Sequence, residues 1–246
     1  MSLFKKEKVD EKYVCPELPH GFTVTHHAGA LDQKPNTPEA VSYSVYHGAK
    51  CIELDVSFRP DGKPVIIHDA TPGENQGESL KTALKIIAGS RKCKINLDLK
   101  STKNLPAIDE LVQEYNLKER VFYTGVGEDW VSTVKENSSI PYYLNHNITP
   151  KEAEDKETCK ALCEKIMELG AIGVNSKYGH CSKQLCKMMH RRNLKVSIWT
   201  VNKLSQTKEL LEYGVDNITT MKPDLLEKQI FGDNKNDSGN LSVLGE

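Results

Sequence analysis

Three short segments of the sequence carry side chains able to act together. Ile52-Glu53-Leu54-Asp55-Val56 alternates apolar and acidic residues, so an extended strand puts Glu53 and Asp55 on one face and the apolar residues on the other. Two carboxylates so placed repel each other unless water or a cation neutralises them. The natural partner for such oxygen donors is a hard divalent ion, Mg²⁺ or Ca²⁺. Lys94 to Lys100 repeats the alternation, with Asn96, Asp98 and Lys100 on a shared face. An acid and an amine removed from water need partners, which a metal and an anionic substrate supply. Asp98 is therefore expected to complete a three-carboxylate metal site, and Lys100 to hold a phosphate as a point charge. The rival reading of both strands is a polar face turned to solvent.

Two histidines are placed to join these groups. Phe22 to His27 alternates so that Phe22, Val24 and His26 face outward while His27 faces inward with Thr23 and Thr25. Beyond Asp55, Pro60-Asp61-Gly62 between two β-rich arms marks a turn. A turn over Pro60 to Lys63 sets Phe58 opposite Val65 and Val56 opposite Ile67, and it brings His68 beside Asp55. Trp199, near the end of a later strand, either walls a pocket or packs in a core. His180, Cys181, Cys186 and His190 suggest zinc, but their spacing fits no usual finger and the last two fall on a helix.

These groups need a scaffold that brings strand ends together. Short β-branched runs alternate with helical patterns from Gly21 onward. Strands are expected near Phe22 to His27, Cys51 to Val56, Lys94 to Lys100, Val121 to Thr124, Pro141 to Asn145, Ile172 to Asn175, Val196 to Val201 and Asn217 to Thr220. A helix is expected after each, the longest over Pro150 to Leu169. Thr37-Pro38 and Thr149-Pro150 place a capping hydroxyl before Pro at the first helical position, and Gly89, Gly170 and Gly214 end helices. Eight such units in roughly 250 residues make an α/β protein with the arithmetic of a (β/α)₈ TIM barrel. The rival is a doubly wound open sheet, yet His26-His27-Ala28-Gly29-Ala30-Leu31 does not match its Gly-rich phosphate loop. The expected organisation is a leader over residues 1–20 with Lys5 to Lys12 solvated, one barrel domain over 21–231, and a flexible polar tail over 232–246.

The composition narrows the partners. The chain has 246 residues, with 33 basic against 34 acidic side chains and a formal charge of -1, so no broad basic footprint for nucleic acid is present. The charged N-terminus lacks an apolar core of signal-peptide length, and no stretch approaches the ~20 apolar residues that span a bilayer. Seven scattered cysteines without a C-x-x-C pair read as reduced thiols in a cytoplasmic protein.

Together these residues resemble the glycerophosphodiester phosphodiesterase family, among the phospholipase C-like phosphodiesterase barrels. The family's H-R-G aligns on His27-Ala28-Gly29, and its E-N-T on Pro35-Asn36-Thr37. Its G-A-D-x-I-E-x-D-V is similar to Gly48 through Val56, and the following Asp61-Gly-Lys-Pro-Val-Ile-Ile-His68-Asp69 matches well. Asn96-Leu-Asp98-Leu-Lys100 is similar to N-I-E-I-K, Trp199-Thr-Val-Asn202 to W-T-V-N, and Gly214 through Pro223 to the closing G-V-D segment. The departures are Ala28 for Arg, Pro35 for Glu, Asp98 for Glu, Met221 for Asp, and too few residues after Asp69 for the family's inserted subdomain. An extra hairpin after strand two is expected instead.

The resemblance implies a metal-dependent phosphodiesterase that cleaves glycerophosphodiesters to glycerol 3-phosphate and an alcohol, in glycerol and lipid metabolism. It implies Glu53, Asp55 and Asp98 as ligands of Mg²⁺ or Ca²⁺, His27 and His68 as general acid and base, and Lys100 and Trp199 at the substrate, a small-molecule phosphodiester. The missing insertion and Ala28 leave two alternatives: a related barrel acting on lysophospholipid or another phosphodiester, and a silent barrel that binds a phosphorylated ligand.

Overall fold

The computed structural model describes residues 7–232. Its strands are β1 (Thr23–His26), β2 (Cys51–Phe58), β3 (Pro64–Ile66), β4 (Glu78–Ser79), β5 (Lys94–Leu99), β6 (Val121–Val126), β7 (Tyr142–Asn145), β8 (Gly173–Lys177), β9 (Lys195–Trp199) and β10 (Asn217–Thr220). Between and after them run α1 (Pro38–Tyr46), α2 (Leu80–Ala88), α3 (Leu105–Glu114), α4 (Val131–Asn137), α5 (Pro150–Glu154), α6 (Lys156–Leu169), α7 (Lys183–His190), α8 (Leu204–Tyr213) and α9 (Pro223–Phe231). The strand β1 pairs in parallel with both β10 and β2, which closes the sheet on itself. Eight parallel strands thus form a (β/α)₈ barrel, and the open-sheet alternative is excluded. The hairpin strands β3 and β4 extend β2 antiparallel, outside the eight-strand ring.

Strand alternation decides what faces where. Outward residues such as Val24, Ile52, Leu54, Ile95, Leu97, Val196 and Ile218 are 2% exposed or less and belong to the apolar core shared with the helices. Truncating one of them, Leu97→Ala for example, should cost about 2–5 kcal/mol. The interior of the barrel is polar instead. Asn217 Oδ1 accepts from Thr23 Oγ1 at 2.7 Å and Thr25 Oγ1 at 2.6 Å, while its Nδ2 donates to Ser197 Oγ at 3.0 Å. Buried polar groups that are bonded in this way avoid the desolvation cost of being left alone.

The helix punctuation explains both agreement and departure. Thr37 accepts from Ala40 N, and Thr149 forms a reciprocal capping box with Glu152. Gly170 and Gly214 close α6 and α8 in the left-handed region, at φ 77° and 84°, where glycine carries no Cβ penalty. The helix expected from Pro150 to Leu169 breaks at Asp155. Its carboxylate accepts from Thr158 N at 2.7 Å and starts α6 as a new N-cap.

The charged residues of the leader from Glu7 to Lys12 are exposed, and two of them also dock on the barrel. Glu7 Oε1 accepts at 3.0 Å from Leu204 N, the first residue of α8, whose own N-cap Lys203 makes no side-chain cap bond. A carboxylate there also complements the helix dipole. Asp10 pairs with Lys208 at 2.6 Å, and Lys208 lies 4.7 Å from the Tyr13 ring centroid. The expected tail lies outside the described residues from 233 onward, as do Lys5 and Lys6 of the leader. No helix among the described residues is long and apolar enough to cross a membrane.

Candidate active site

The parallel register of β2 and β5 sets Glu53 opposite Asn96 and Asp55 opposite Asp98. One carboxylate oxygen from each of Glu53, Asp55 and Asp98 consequently lies within 4.8 Å of the other two, the one such cluster among the described residues. Each acid is held in place from outside. Glu53 Oε2 accepts from Ala28 N at 3.0 Å, and Asp98 Oδ1 lies 2.6 Å from Thr124 Oγ1. Asn36 grips Asp55 at two points: its Nδ2 donates to Asp55 Oδ2 at 2.7 Å, and its Oδ1 accepts from Asp55 N at 3.0 Å. Asn36 does so at φ 55°, a left-handed conformation that asparagine tolerates better than most residues.

Lys100 Nζ sits 2.9 Å from Asp55 Oδ1 and bonds Asp98 Oδ2 as well. Burial opposes its charge, but Asp98 and Asp55 more than offset that and hold the amine above its usual range. Three acids against one amine still leave an excess of negative charge. Burial first, then Asp55 and Asp98, push the Glu53 carboxyl well above the ordinary carboxylate range. Such a site gains from an added cation. Its all-oxygen, largely buried donor set suits a hard divalent ion.

His27 and His68 line the same cavity, which encloses about 320 Å³. His27 Nδ1 is 3.8 Å from Glu53 Oε2 and is a buried nitrogen without a hydrogen-bond partner among the described residues. Burial pulls its pKa below the usual histidine value, against the upward effect of Asp55 and Asp98. His68 arrives on the hairpin, although the register differs from expectation: Phe58 pairs with Pro64 and Val56 with Ile66. The turn is one residue shorter, because Arg59 N bonds Lys63 O and Gly62 takes φ 83° in the loop. Ile67 N then bonds Asp55 O at 3.0 Å, so His68 still reaches the acidic face.

Trp199 walls the cavity rather than packing in the core, with its buried Nε1 unpartnered among the described residues. His26 points outward, buried, with Nε2 3.5 Å from Glu227 Oε1 on α9. The zinc reading does not assemble: His180 bonds Ile148 O, His190 bonds Asp216 at 2.9 Å, and Cys181 and Cys186 contact each other at 3.5 Å. Sequence reasoning noted Asn36 only within the E-N-T match, with no role assigned, and passed over Thr124, Asn145 and Asn175. Asn145 ends β7 and Asn175 is the third residue of β8, and both line the cavity, so the parity argument used for His27 would have found them.

The geometry is matched by kinship. Residues 26–82 and 74–225 match the model of the glycerophosphoryl diester phosphodiesterase family. A glycerophosphodiester phosphodiesterase of Caldanaerobacter subterraneus is 23% identical over 246 residues, covering 83% of this chain and 96% of that protein. One from Bacillus altitudinis is 25% identical over 240 residues, covering 80% of this chain and 94% of its own. The structure of an Oleispira antarctica phosphodiesterase in complex with the product sn-glycerol-3-phosphate superposes with a TM-score of 0.69 at 20% identity, covering 87% of this chain and 97% of that one. A family match that spans most of the barrel, including every strand that bears the carboxylates, places this chain in the glycerophosphoryl diester phosphodiesterase family of hydrolases.

Proposed function

We propose that this protein hydrolyses glycerophosphodiesters to glycerol 3-phosphate and an alcohol, using a divalent cation, Mg²⁺ or Ca²⁺, held by Glu53, Asp55 and Asp98. The convergence of three carboxylates, one amine and two histidines on one cavity carries this reading. When bound, the ion supplies charge neutralisation of the diester and of its transition state. Lys100 adds a second positive contact for phosphate oxygens. His27 and His68 form the acid–base pair, since displacement at phosphorus needs one proton taken from the nucleophile and one given to the leaving alkoxide. Burial shifts His27 toward its neutral form, which suits the role of base. Trp199 forms part of the wall on which the substrate rests. The Oleispira antarctica protein with bound sn-glycerol-3-phosphate supports a small phosphodiester as the ligand. The reading also places the enzyme in the cytoplasm, on the cysteine pattern of its sequence.

The test is a ³¹P NMR assay with added Mg²⁺ or Ca²⁺ on glycerophosphocholine, glycerophosphoethanolamine and lysophosphatidylcholine. Release of glycerol 3-phosphate from the first two supports the proposal. Turnover of the lysophospholipid alone moves the substrate to that class, an outcome made concrete by Ala28 and the short connection after Asp69. No turnover of any of the three refutes the glycerophosphodiester reading and leaves another phosphodiester or a binding barrel.

A further inference from the structure

On the cavity wall beyond Thr124, two asparagines form a pair that the acid–base and cation chemistry does not use. Asn145, at the end of β7, and Asn175, in β8, both line the cavity that holds the carboxylates. The Gly125 N–H donates to Asn145 Oδ1 at 3.0 Å, and Asn175 Nδ2 donates to the same oxygen at 3.0 Å. A backbone N–H can only donate, so it fixes which end of the Asn145 amide is oxygen and which is nitrogen. That choice in turn fixes Asn175, whose nitrogen must face the shared oxygen. Among the hydrogen bonds of the described residues, none uses Asn145 Nδ2 or Asn175 Oδ1. The pair therefore keeps an NH₂ donor on one residue and a carbonyl acceptor on its neighbour.

The wall is tied to the acidic site. Gly125 follows Thr124, whose hydroxyl lies 2.6 Å from Asp98 Oδ1. Gly125 itself takes φ 77°, and a Cβ there would fall 2.4 Å from Leu99 O, so the backbone that presents its N–H tolerates no side chain. Asn175 is 5% exposed, which leaves its amide little freedom to turn. A neutral donor beside a neutral acceptor matches hydroxyl groups, which both donate and accept. It offers nothing to an acyl chain and no charge to a second phosphate.

We infer that Asn145 and Asn175 read hydroxyl groups of the substrate, making this site selective for a phosphate ester of a small polyol over one whose alcohol lacks free hydroxyls. The inference deepens the proposed function and rests on the phosphate lying at the carboxylate and lysine end of the cavity. Sites that hydrogen-bond a substrate hydroxyl reject analogues lacking it because their buried polar groups are left unpaired.

The test is calorimetric binding of glycerol 3-phosphate and ethyl phosphate to the full chain with saturating Mg²⁺, for the wild type, Asn145→Asp and Asn145→Leu. Ethyl phosphate keeps the phosphate and removes the hydroxyls. The wild type should prefer glycerol 3-phosphate by about tenfold or more, the scale of one or two hydrogen bonds. Asn145→Asp retains the acceptor for Gly125 N and Asn175 Nδ2 and replaces only the uncommitted donor. Its added charge weakens both ligands, so the ratio between them is the readout, and that ratio should fall toward one. Asn145→Leu should lose the preference as well; should it fail to fold, Asn145→Asp alone decides. An undiminished ratio in Asn145→Asp, or no preference in the wild type, overturns the inference. The binding ratio is independent of turnover, so failure of the hydrolase reading in the ³¹P assay would be seen separately.

Discussion

Replacing Lys100 by Met removes a charge and keeps most of the side chain's length, and the structure gives the change two opposite consequences. The ammonium bridges Asp55 and Asp98 beside Glu53, so its loss leaves three clustered carboxylates without their cationic partner. Breaking a buried pair on one side costs about 3–5 kcal/mol. The lower end applies here, because the Asp98 side chain is 19% exposed. At about 2–4 °C per kcal/mol for a domain of this size, chelator-treated Lys100→Met should melt about 6–12 °C below the wild type. Excess Mg²⁺ or Ca²⁺ should return much of that difference, because a cation now meets the full charge of the acids. Phosphate binding should suffer instead. With Ala28 where the family has Arg, Lys100 is the one lysine or arginine lining the cavity among the described residues, and hydrogen bonds to charged groups are worth about 1.5–3 kcal/mol. That predicts about a 10- to 100-fold loss in kcat/KM. Ala28→Arg in the same chain tests whether a restored guanidinium recovers part of it; His26, turned to Glu227, does not compete for the phosphate. Thermal melting with and without cation, and steady-state kinetics of the single and double variants, are the assays. Unchanged kinetics in Lys100→Met would place the phosphate elsewhere, and an unchanged melting temperature without cation would refute the bridging role.

His27→Ala and His68→Ala should each lower turnover by about 10² or more with folding intact, whereas His26→Ala should lower the melting temperature and spare turnover, because it loses a buried contact behind the barrel. Activity at the wild-type level in either of the first two removes that residue from the chemistry. Burial keeps His27 below its ordinary value of 6.5. If it acts as base, kcat/KM should stay level as pH falls toward 6.5 and drop only below it, where the imidazole takes up a proton; a limb centred well above that pH contradicts the assignment. Asn36→Ala loses both bonds to Asp55 and should weaken cation binding measured by calorimetry by about tenfold. An unchanged affinity would reduce Asn36 to a loop residue.

The strands and the acidic face were legible because both follow from a period of two. Once β2 and β5 lie side by side in parallel, residues of like parity meet, and Glu53, Asp55 and Asp98 need no further information to converge. The hairpin was legible in kind but not in register. Pro60-Asp61-Gly62 permits both a longer and a shorter loop, and the choice is made by Gly62 at positive φ and the Arg59–Lys63 bond. The break at Asp155 was hidden because an acidic residue inside a helical pattern reads equally as a solvated side chain or as a cap. Asn36, Asn145 and Asn175 carry no charge and no reactive group, so their importance shows only through what they bond. Glu7 and Asp10 looked like a solvated charge run, since nothing in the chain near them reveals that α8 and Gln229 lie across from them.

The account stands most directly on the rate of glycerophosphocholine hydrolysis as a function of Mg²⁺ or Ca²⁺ concentration, measured for the wild type and for Glu53→Gln. Glu53 is one of three ligands proposed for the ion, so its neutral isostere should bind the cation more weakly while leaving the histidines and Lys100 in place. The prediction is activity that requires the cation in the wild type, with a curve shifted to higher concentration in Glu53→Gln and part of the lost rate recovered by excess ion. Hydrolysis that persists in chelator, or a Glu53→Gln curve superimposable on the wild type, would contradict the claim that these carboxylates hold a catalytic cation.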